Sequence, residues 1–224
     1  IIPRPNILKC ESFDMTPEFE IVFPAYNEEK RLSQSNVLEV YHDYLTRKFG
    51  NRFKIWVVIN GTTDHTEEIL AGISKRYPDI FYVNIPEKGK GAAFREALRH
   101  LSAPLFAFVD LDGAIFPDQL DRLFSEIKDK EIVIGSRKCK GAKLLVRPPW
   151  YRRWNSFFAR LFVRLFLGLP VQDPFCGFKM YRRESLIRLQ PFLTLQTAMI
   201  DVNILYAAQQ QGMKIKEVPI EWRH

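Results

Sequence analysis

LFAFVDLDGA, residues 105–114, is an apolar run that stops abruptly at two acids and a Gly-Ala turn. Five apolar residues without alternation suit a strand covered on both faces, as strands of a parallel sheet are. The pattern recurs along the chain in EIVFPAY (20–26), KIWVVIN (54–60), IFYVNI (80–85) and EIVIGSR (131–137). Segments of helical period fit between these runs, at 28–48, 64–77, 91–101 and 117–128, the last with Pro117 in its first turn. Four βα units in succession predict an α/β fold with a mostly parallel sheet, right-handed crossovers and flanking helices. Ligands of such sheets bind beyond the carboxyl ends of the strands. Those ends carry Tyr26, Asn27 and Glu28, then 60–64, then 88–90, then Asp110 to Asp112, then Ser136 and Arg137.

With 224 residues, 46% of them hydrophobic, the chain is long enough to bury a core, and with no repeat or linker the whole of 1–224 reads as a single domain. No window approaches the roughly 18 uncharged apolar residues of a membrane-spanning helix. Cys10, Cys139 and Cys176 are widely separated and form no CxxC pair, so neither a disulfide framework nor a zinc site is expected. The chain begins Ile1-Ile2-Pro3 without Met or a signal-peptide pattern, which leaves open an anchor outside this sequence. The net charge of +7 is unevenly placed. Residues 137–183 hold twelve Lys and Arg against Asp173 alone, so the rest of the chain is net acidic. Such a local field points to an anionic partner: nucleic acid, a phosphorylated ligand or a lipid surface.

Two carboxylates one residue apart at a strand end, Asp110 and Asp112, can grip one hard cation. Mg²⁺ or Mn²⁺ would take its other ligands from water and a substrate diphosphate. The competing reading is an Asp-rich surface turn. KGKGAA at 88–93 has the look of a phosphate-binding entry to a helix, with flexible glycines and a cation, but it lacks both the P-loop and the dinucleotide patterns. Beyond 137 the pattern turns basic and aromatic. Trp154, Phe157, Phe158, Leu161, Phe162, Leu165 and Phe166 form one helical stripe, with Arg153, Arg160 and Arg164 on the other face. A segment of about 147–170 therefore reads as a basic amphipathic helix suited to an anionic lipid interface. The alternative is a helix packed on the core or on a second copy of the chain. A helix near 198–211 and a strand at 214–222 (KIKEVPIEW) complete the pattern.

Six segments in order carry a resemblance: FPAYNEE (23–29), GTTDHT (61–66), KGKGAA (88–93), DLDGA (110–114), IGSR (134–137) and DPFCGFKMYRRE (173–184). The series resembles the family 2 glycosyltransferases, and within them the polyprenyl-phosphate sugar transferases such as the dolichyl-phosphate glucosyltransferases and mannose synthases. The resemblance runs from about residue 20 to 222. It implies a GT-A (Rossmann-like) fold and an inverting, metal-dependent transfer of a hexose from a nucleotide sugar to polyprenyl phosphate, with Mg²⁺ or Mn²⁺ as cofactor. The enzyme would work at the cytoplasmic face of a membrane, peripheral or anchored by a segment absent here, with no nucleic acid as partner.

Carried over residue by residue, the resemblance implies that Pro24, Ala25, Tyr26 and Glu28 bracket the base and ribose, that Lys90 fixes the donor, and that Asp110, Leu111 and Asp112 lie on the metal-diphosphate with the two acids as metal ligands. The family usually has two acids before the second motif, whereas here Ile59 and Asn60 precede Gly61. An Asn amide offers one donor and one acceptor, matching uracil better than guanine, so Asn60 is expected near the base of a UDP-sugar. Ala114 stands where the mannose synthases often have Gln, which also favours the glucosyltransferase branch. A phosphate acceptor is dianionic near neutrality and needs counter-charge rather than a base. Arg137, Arg152 and Arg153 are the expected acceptor-phosphate residues, Arg137 also counting among the catalytic groups with Asp110 and Asp112. Asp201 aligns with an acid that serves as base when the acceptor is a hydroxyl, and is expected here to have an orienting or structural role. Asp173 is expected to pair with a nearby cation or to support the Gly177 turn, and Cys176 to be a packed thiol. The rival readings are a GDP-mannose-using mannose synthase, a transferase acting on a sugar hydroxyl, and a non-catalytic basic module.

Overall fold

The computed structural model describes residues 16–146 and 150–223. Its elements in chain order are β1 (Phe19–Ala25), α1 (Glu29–Gln34), α2 (Val37–Phe49), β2 (Phe53–Asn60), α3 (Thr66–Arg76), β3 (Ile80–Ile85), α4 (Lys90–His100), β4 (Leu105–Val109), α5 (Leu120–Glu126), β5 (Ile132–Ser136), β6 (Lys143–Leu144), α6 (Trp150–Leu167), β7 (Phe178–Arg182), α7 (Arg183–Leu189), α8 (Ile200–Gln210), β8 (Ile215–Pro219) and β9 (Glu221–Trp222). Seven strands form one sheet in the order β3-β2-β1-β4-β7-β5-β8, and β6 pairs with β9 in a short ribbon. The five expected apolar runs are all strands. β1, β2, β3 and β4 are mutually parallel, as are β5 and β8.

Alternation along each strand feeds two cores. Phe19, Ile21, Phe23 and Ala25 of β1 face Leu38, Tyr41 and Leu45 of α2, Leu70 of α3 and Leu120 and Leu123 of α5. Val22 faces the other way, toward Phe94 of α4, Leu186 of α7 and Leu205 of α8. Glu20 shares that second face and is fully buried. Its carboxylate accepts hydrogen bonds from Trp56 Nε1 (3.2 Å) and the main-chain amides of Ser102 (2.7 Å) and Ala103 (2.8 Å), so the desolvated charge is met by donors.

Three differences from the sequence expectation have physical causes. The helix expected over 28–48 breaks at Ser35, whose backbone is extended. The terminal run divides, β8 joining the sheet while β9 leaves it for β6. Most consequential is β7, which was not expected as a strand and lies antiparallel between β4 and β5. Its direction brings its amino-terminal loop, 173–177, to the edge where β4 ends, with Val109 opposite Phe178 and Asp110 N donating to Gly177 O at 2.9 Å. The sheet is therefore mixed, though mostly parallel. Strand order reverses between β1 and β4, the crevice where open α/β sheets bind ligands.

Candidate functional site

At the carboxyl end of β1 the chain turns through Asn27, whose φ of 53° is the one positive value at a described non-glycine residue. An Asn tolerates that region because its short side chain bonds locally. Here Asn27 Oδ1 accepts from Thr63 N (2.9 Å) and Asn27 N donates to Thr62 Oγ1 (3.2 Å). Asp64 ties the same two loops, accepting from Glu29 N (3.1 Å) and from Thr66 Oγ1 (2.5 Å). Glu28, half-buried, pairs with Arg31 and donates its amide to Thr66 Oγ1 (2.8 Å). Burial raises the Glu28 carboxyl above the ordinary range, Arg31 opposes this, and the negative charges of Asp112 and Asp64 add to it. A cavity of about 460 Å³ opens here, lined by Asn27, Glu28, Lys30, Arg31, Gln34 and Ser35. Tyr26 is exposed, with Lys88 Nζ 2.6 Å from its hydroxyl and 4.1 Å from its ring centre. Pro24 is half-buried and Ala25 fully buried, so Ala25 can present only main chain to a ligand.

The centre of the site is a chain of alternating charges. Lys90, at the start of α4, places Nζ 2.7 Å from Asp110 Oδ1 and 2.8 Å from Asp201 Oδ2. Asp201, at the start of α8, receives Lys179 Nζ at 2.6 Å on its other oxygen. Lys179 comes from β7, is 1% exposed, and also donates to the carbonyl of Cys176. Burial alone would raise the Asp201 carboxyl, but Lys179 and Lys90 outweigh that and hold it below the ordinary carboxylate range. Burial likewise works to lower the Lys90 ammonium, and Asp201 and Asp110 overcome it and raise it. Asp110 keeps 41% of its side chain exposed, whereas Leu111 is buried in the core and offers a ligand only its main chain. Asp112 Oδ1 accepts from Ala114 N at 2.9 Å, which shapes the turn after the two acids.

Among the described residues no group of three or more His, Cys, Asp or Glu could hold a metal. The two acids at the end of β4 nevertheless fit a hard divalent ion whose other ligands are water and phosphate oxygens. Asp110 keeps part of its carboxylate open to solvent beside the Lys90 ammonium, so it has an oxygen to offer such an ion.

Arg137, at the end of β5, is fixed by Asp173. Its Nε and Nη2 reach the two carboxylate oxygens at 2.7 and 2.9 Å, and its amide adds a third bond at 3.0 Å. Asp173 is buried, and although burial would raise its carboxyl, Arg137 holds it low. This is the cation pairing expected for Asp173. Cys176 is packed, its thiol pushed up to about 12 by burial. The side chains of Arg152 and Arg153 lie outside the described residues.

On α6 the aromatic stripe faces away from the body of the protein. Trp154, Phe157, Phe158, Leu161, Phe162, Leu165 and Phe166 are all exposed, while Val163 is buried in the core and Leu167 packs partly against it. Arg160 is half-buried and bonds Ser156 one turn back. No described helix is long and apolar enough to cross a membrane.

Two sequence expectations are corrected here. Asn60 does not present its amide to a ligand. It is 3% exposed, its Nδ2 donates to the carbonyls of Ala25 (2.9 Å) and Val58 (3.3 Å), and its Oδ1 accepts from Gly89 N (3.1 Å). The glycines of 88–93 are likewise engaged by protein rather than laid open for phosphate. Gly91 N donates to Gln196 O at 2.8 Å, and a Cβ on Gly89, whose φ is 128°, would lie 2.3 Å from the same carbonyl oxygen. The burial of Lys179 and the clamping of Asp201 between two lysines were not foreseen, because both depend on β7.

The glycosyl transferase family 2 model matches residues 20–190. A dolichyl-phosphate beta-glucosyltransferase of Trichomonas vaginalis is 34% identical, over 99% of this chain and 69% of its own. Among solved structures, the glucosyl-3-phosphoglycerate synthase of Mycobacterium tuberculosis, in complex with Mn²⁺, UDP-glucose and phosphoglyceric acid, superposes with a TM-score of 0.63 at 19% identity, over 93% of this chain and 70% of that one. The mannosyltransferase PcManGT of Pyrobaculum calidifontis, in complex with GDP-mannose and Mn²⁺, gives 0.60 at 19% identity, over 96% and 60%. At these identities the two structures establish a shared fold.

Proposed function

Since the chain belongs to glycosyl transferase family 2 and has the GT-A type of α/β fold, we propose that it transfers glucose from UDP-glucose to dolichyl phosphate, with inversion at the anomeric carbon. One observation carries the acceptor class. Asp201, the acid placed to act as a base toward a hydroxyl, is buried between Lys90 and Lys179 and held below the ordinary carboxylate range. With both oxygens engaged by lysines, it is a weak base toward a sugar hydroxyl. A phosphate monoester needs none, because it is largely dianionic near neutral pH.

Asp110 and Asp112 would hold Mg²⁺ or Mn²⁺, which supplies Lewis-acid stabilisation of the charge developing on the departing diphosphate. The chain's own groups do the rest. Tyr26 and Glu28 border the nucleotide end, and Lys90 brings a positive charge to the donor phosphates. Arg137, whose Nε and Nη2 are taken by Asp173, would offer its remaining N–H donors to the acceptor phosphate. An acceptor phosphate oxygen forms the new bond to C1 as the bond from C1 to the UDP oxygen breaks, and UDP leaves with that electron pair. The exposed aromatic stripe of α6, within the segment richest in Lys and Arg, suits a membrane surface bearing anionic headgroups, from which the polyprenyl chain would be drawn.

The test is nucleotide release by purified protein with Mn²⁺ or Mg²⁺ and dolichyl phosphate, offered UDP-glucose, UDP-N-acetylglucosamine or GDP-mannose. The expected result is acceptor-dependent UDP release from UDP-glucose, lost in Asp110→Ala and absent when dolichyl phosphate is replaced by free dolichol. GDP release from GDP-mannose alone would overturn the donor assignment, and equal UDP release with free dolichol in place of dolichyl phosphate would overturn the acceptor class.

A further inference from the structure

The main chain on either side of Lys90 is held by two protein acceptors, Asn60 Oδ1 on the Gly89 amide and Gln196 O on the Gly91 amide. We infer that Asn60 is a positioning residue for the donor phosphates: its amide fixes the chain at Gly89 and so sets the Lys90 ammonium between Asp110 and Asp201. The inference rests on the nucleotide-sugar reading of the site and adds to it a residue that touches no ligand.

The chemistry at position 60 demands an amide. Its environment offers two acceptors, the Ala25 and Val58 carbonyls, and one donor, the Gly89 N–H. Asn supplies two N–H donors and one carbonyl oxygen, and so meets all three. An ionised Asp is acceptor-only and would set a buried negative charge against two carbonyl oxygens. Leu fills the volume and leaves the Gly89 N–H and the Ala25 carbonyl unmet. Slack at Gly89 passes directly to Lys90, the next residue. Asn60 also joins the end of β1, in the nucleotide-side loop, to the lysine loop after β3, so one side chain sets the distance between two walls of the cleft.

Calorimetric binding of UDP in the presence of Mn²⁺ tests this in four proteins: wild type, Asn60→Leu, Lys90→Gln and the double variant. If Asn60 acts through Lys90, Asn60→Leu weakens UDP binding about tenfold, the scale of one unmade buried hydrogen bond, and adds little once Lys90 is Gln. Losses that simply add would overturn the inference. Should Asn60→Leu fail to fold, Asn60→Asp serves instead. Its carboxyl, neutral at low pH, can donate to Ala25 and accept from Gly89, and burial raises it above the ordinary carboxylate range, so in a series from about pH 5.5 to 8.5 its UDP affinity should be nearest wild type at the acid end and fall relative to wild type as pH rises. A ratio to wild type that does not change with pH would equally overturn it. Wild type that binds no UDP would instead defeat the proposed function, so the two failures are separable.

Discussion

Replacing Gly177 by Ala should disable transfer while leaving the protein folded. A Cβ at this position would sit 1.7 Å from Asp110 Oδ2, 2.2 Å from its Cγ and 2.6 Å from its Oδ1. The two main chains cannot easily separate, because Asp110 N donates to Gly177 O at 2.9 Å and Val109 pairs in register with Phe178. Gly177 does not have a positive φ, so Ala meets no backbone strain and the collision is the side chain's alone. The Asp110 carboxylate is the part that must yield, by well over an ångström. That swing breaks its 2.7 Å contact with Lys90 and takes it out of line with Asp112. A displacement of about 1 Å at a reacting centre costs on the order of 10²-fold in rate, or about 2.7 kcal/mol of transition-state stabilisation. Overpacking costs about 1–3 kcal/mol of fold stability, and each kcal/mol lowers Tm by about 2–4 °C in a chain of this size. Initial rates of acceptor-dependent UDP release, with a circular-dichroism melt of the same sample, measure both. A folded Gly177→Ala protein with a rate within about threefold of wild type, less than 1 kcal/mol on the same scale, would refute the placement of Asp110 in the reaction.

Acid should unfold the protein by a route its buried pairs dictate. Asp173 and Asp201 titrate below the unfolded carboxylate value of about 3.9. The stability they contribute is therefore complete above that value and is lost as pH falls through their lower folded values. Urea midpoints taken between about pH 3 and pH 6 should drop at the acid end, and Arg137→Gln should lessen the part of that drop due to Asp173; identical profiles for the two proteins would contradict the pairing. Phe158→Ser with Phe162→Ser should release the protein from vesicles containing anionic lipid, as judged by flotation, with UDP binding unchanged. Undiminished flotation would argue against α6 as the membrane contact.

The outline of the fold was legible because β1 to β5 are uninterrupted apolar runs, a signal that needs no partner to be read. The acids of 110–112 stood out for the same reason, as the abrupt end of such a run. β7 was hidden by its own function. Lys179 and Arg182 interrupt FKMYR with charges, and only the buried Asp201 carboxylate explains how a lysine sits at the middle of a sheet. Asn60 was singled out on good grounds of type and place, yet its direction could not be read locally. The three groups that capture its amide come from β1, β2 and the loop after β3. Charge and aromatic spacing announced α6, but periodicity is the same for a stripe turned inward or outward, and the packing of Val163 and Leu167 on the core shows which it is.

The reversed strand also orders the assembly of the protein. β4 and β5 follow one another in the chain but never pair, since β7 lies between them. On the ribosome, β1 to β4 can zip together as they emerge, whereas residues 132–136 have no neighbour to bond until 178–182 have been made. The intervening forty-odd residues include α6, with its aromatic stripe exposed. A nascent chain paused in this interval therefore presents an unpaired strand and a greasy basic helix together, and a nearby bilayer would receive that helix before the catalytic edge of the sheet is closed.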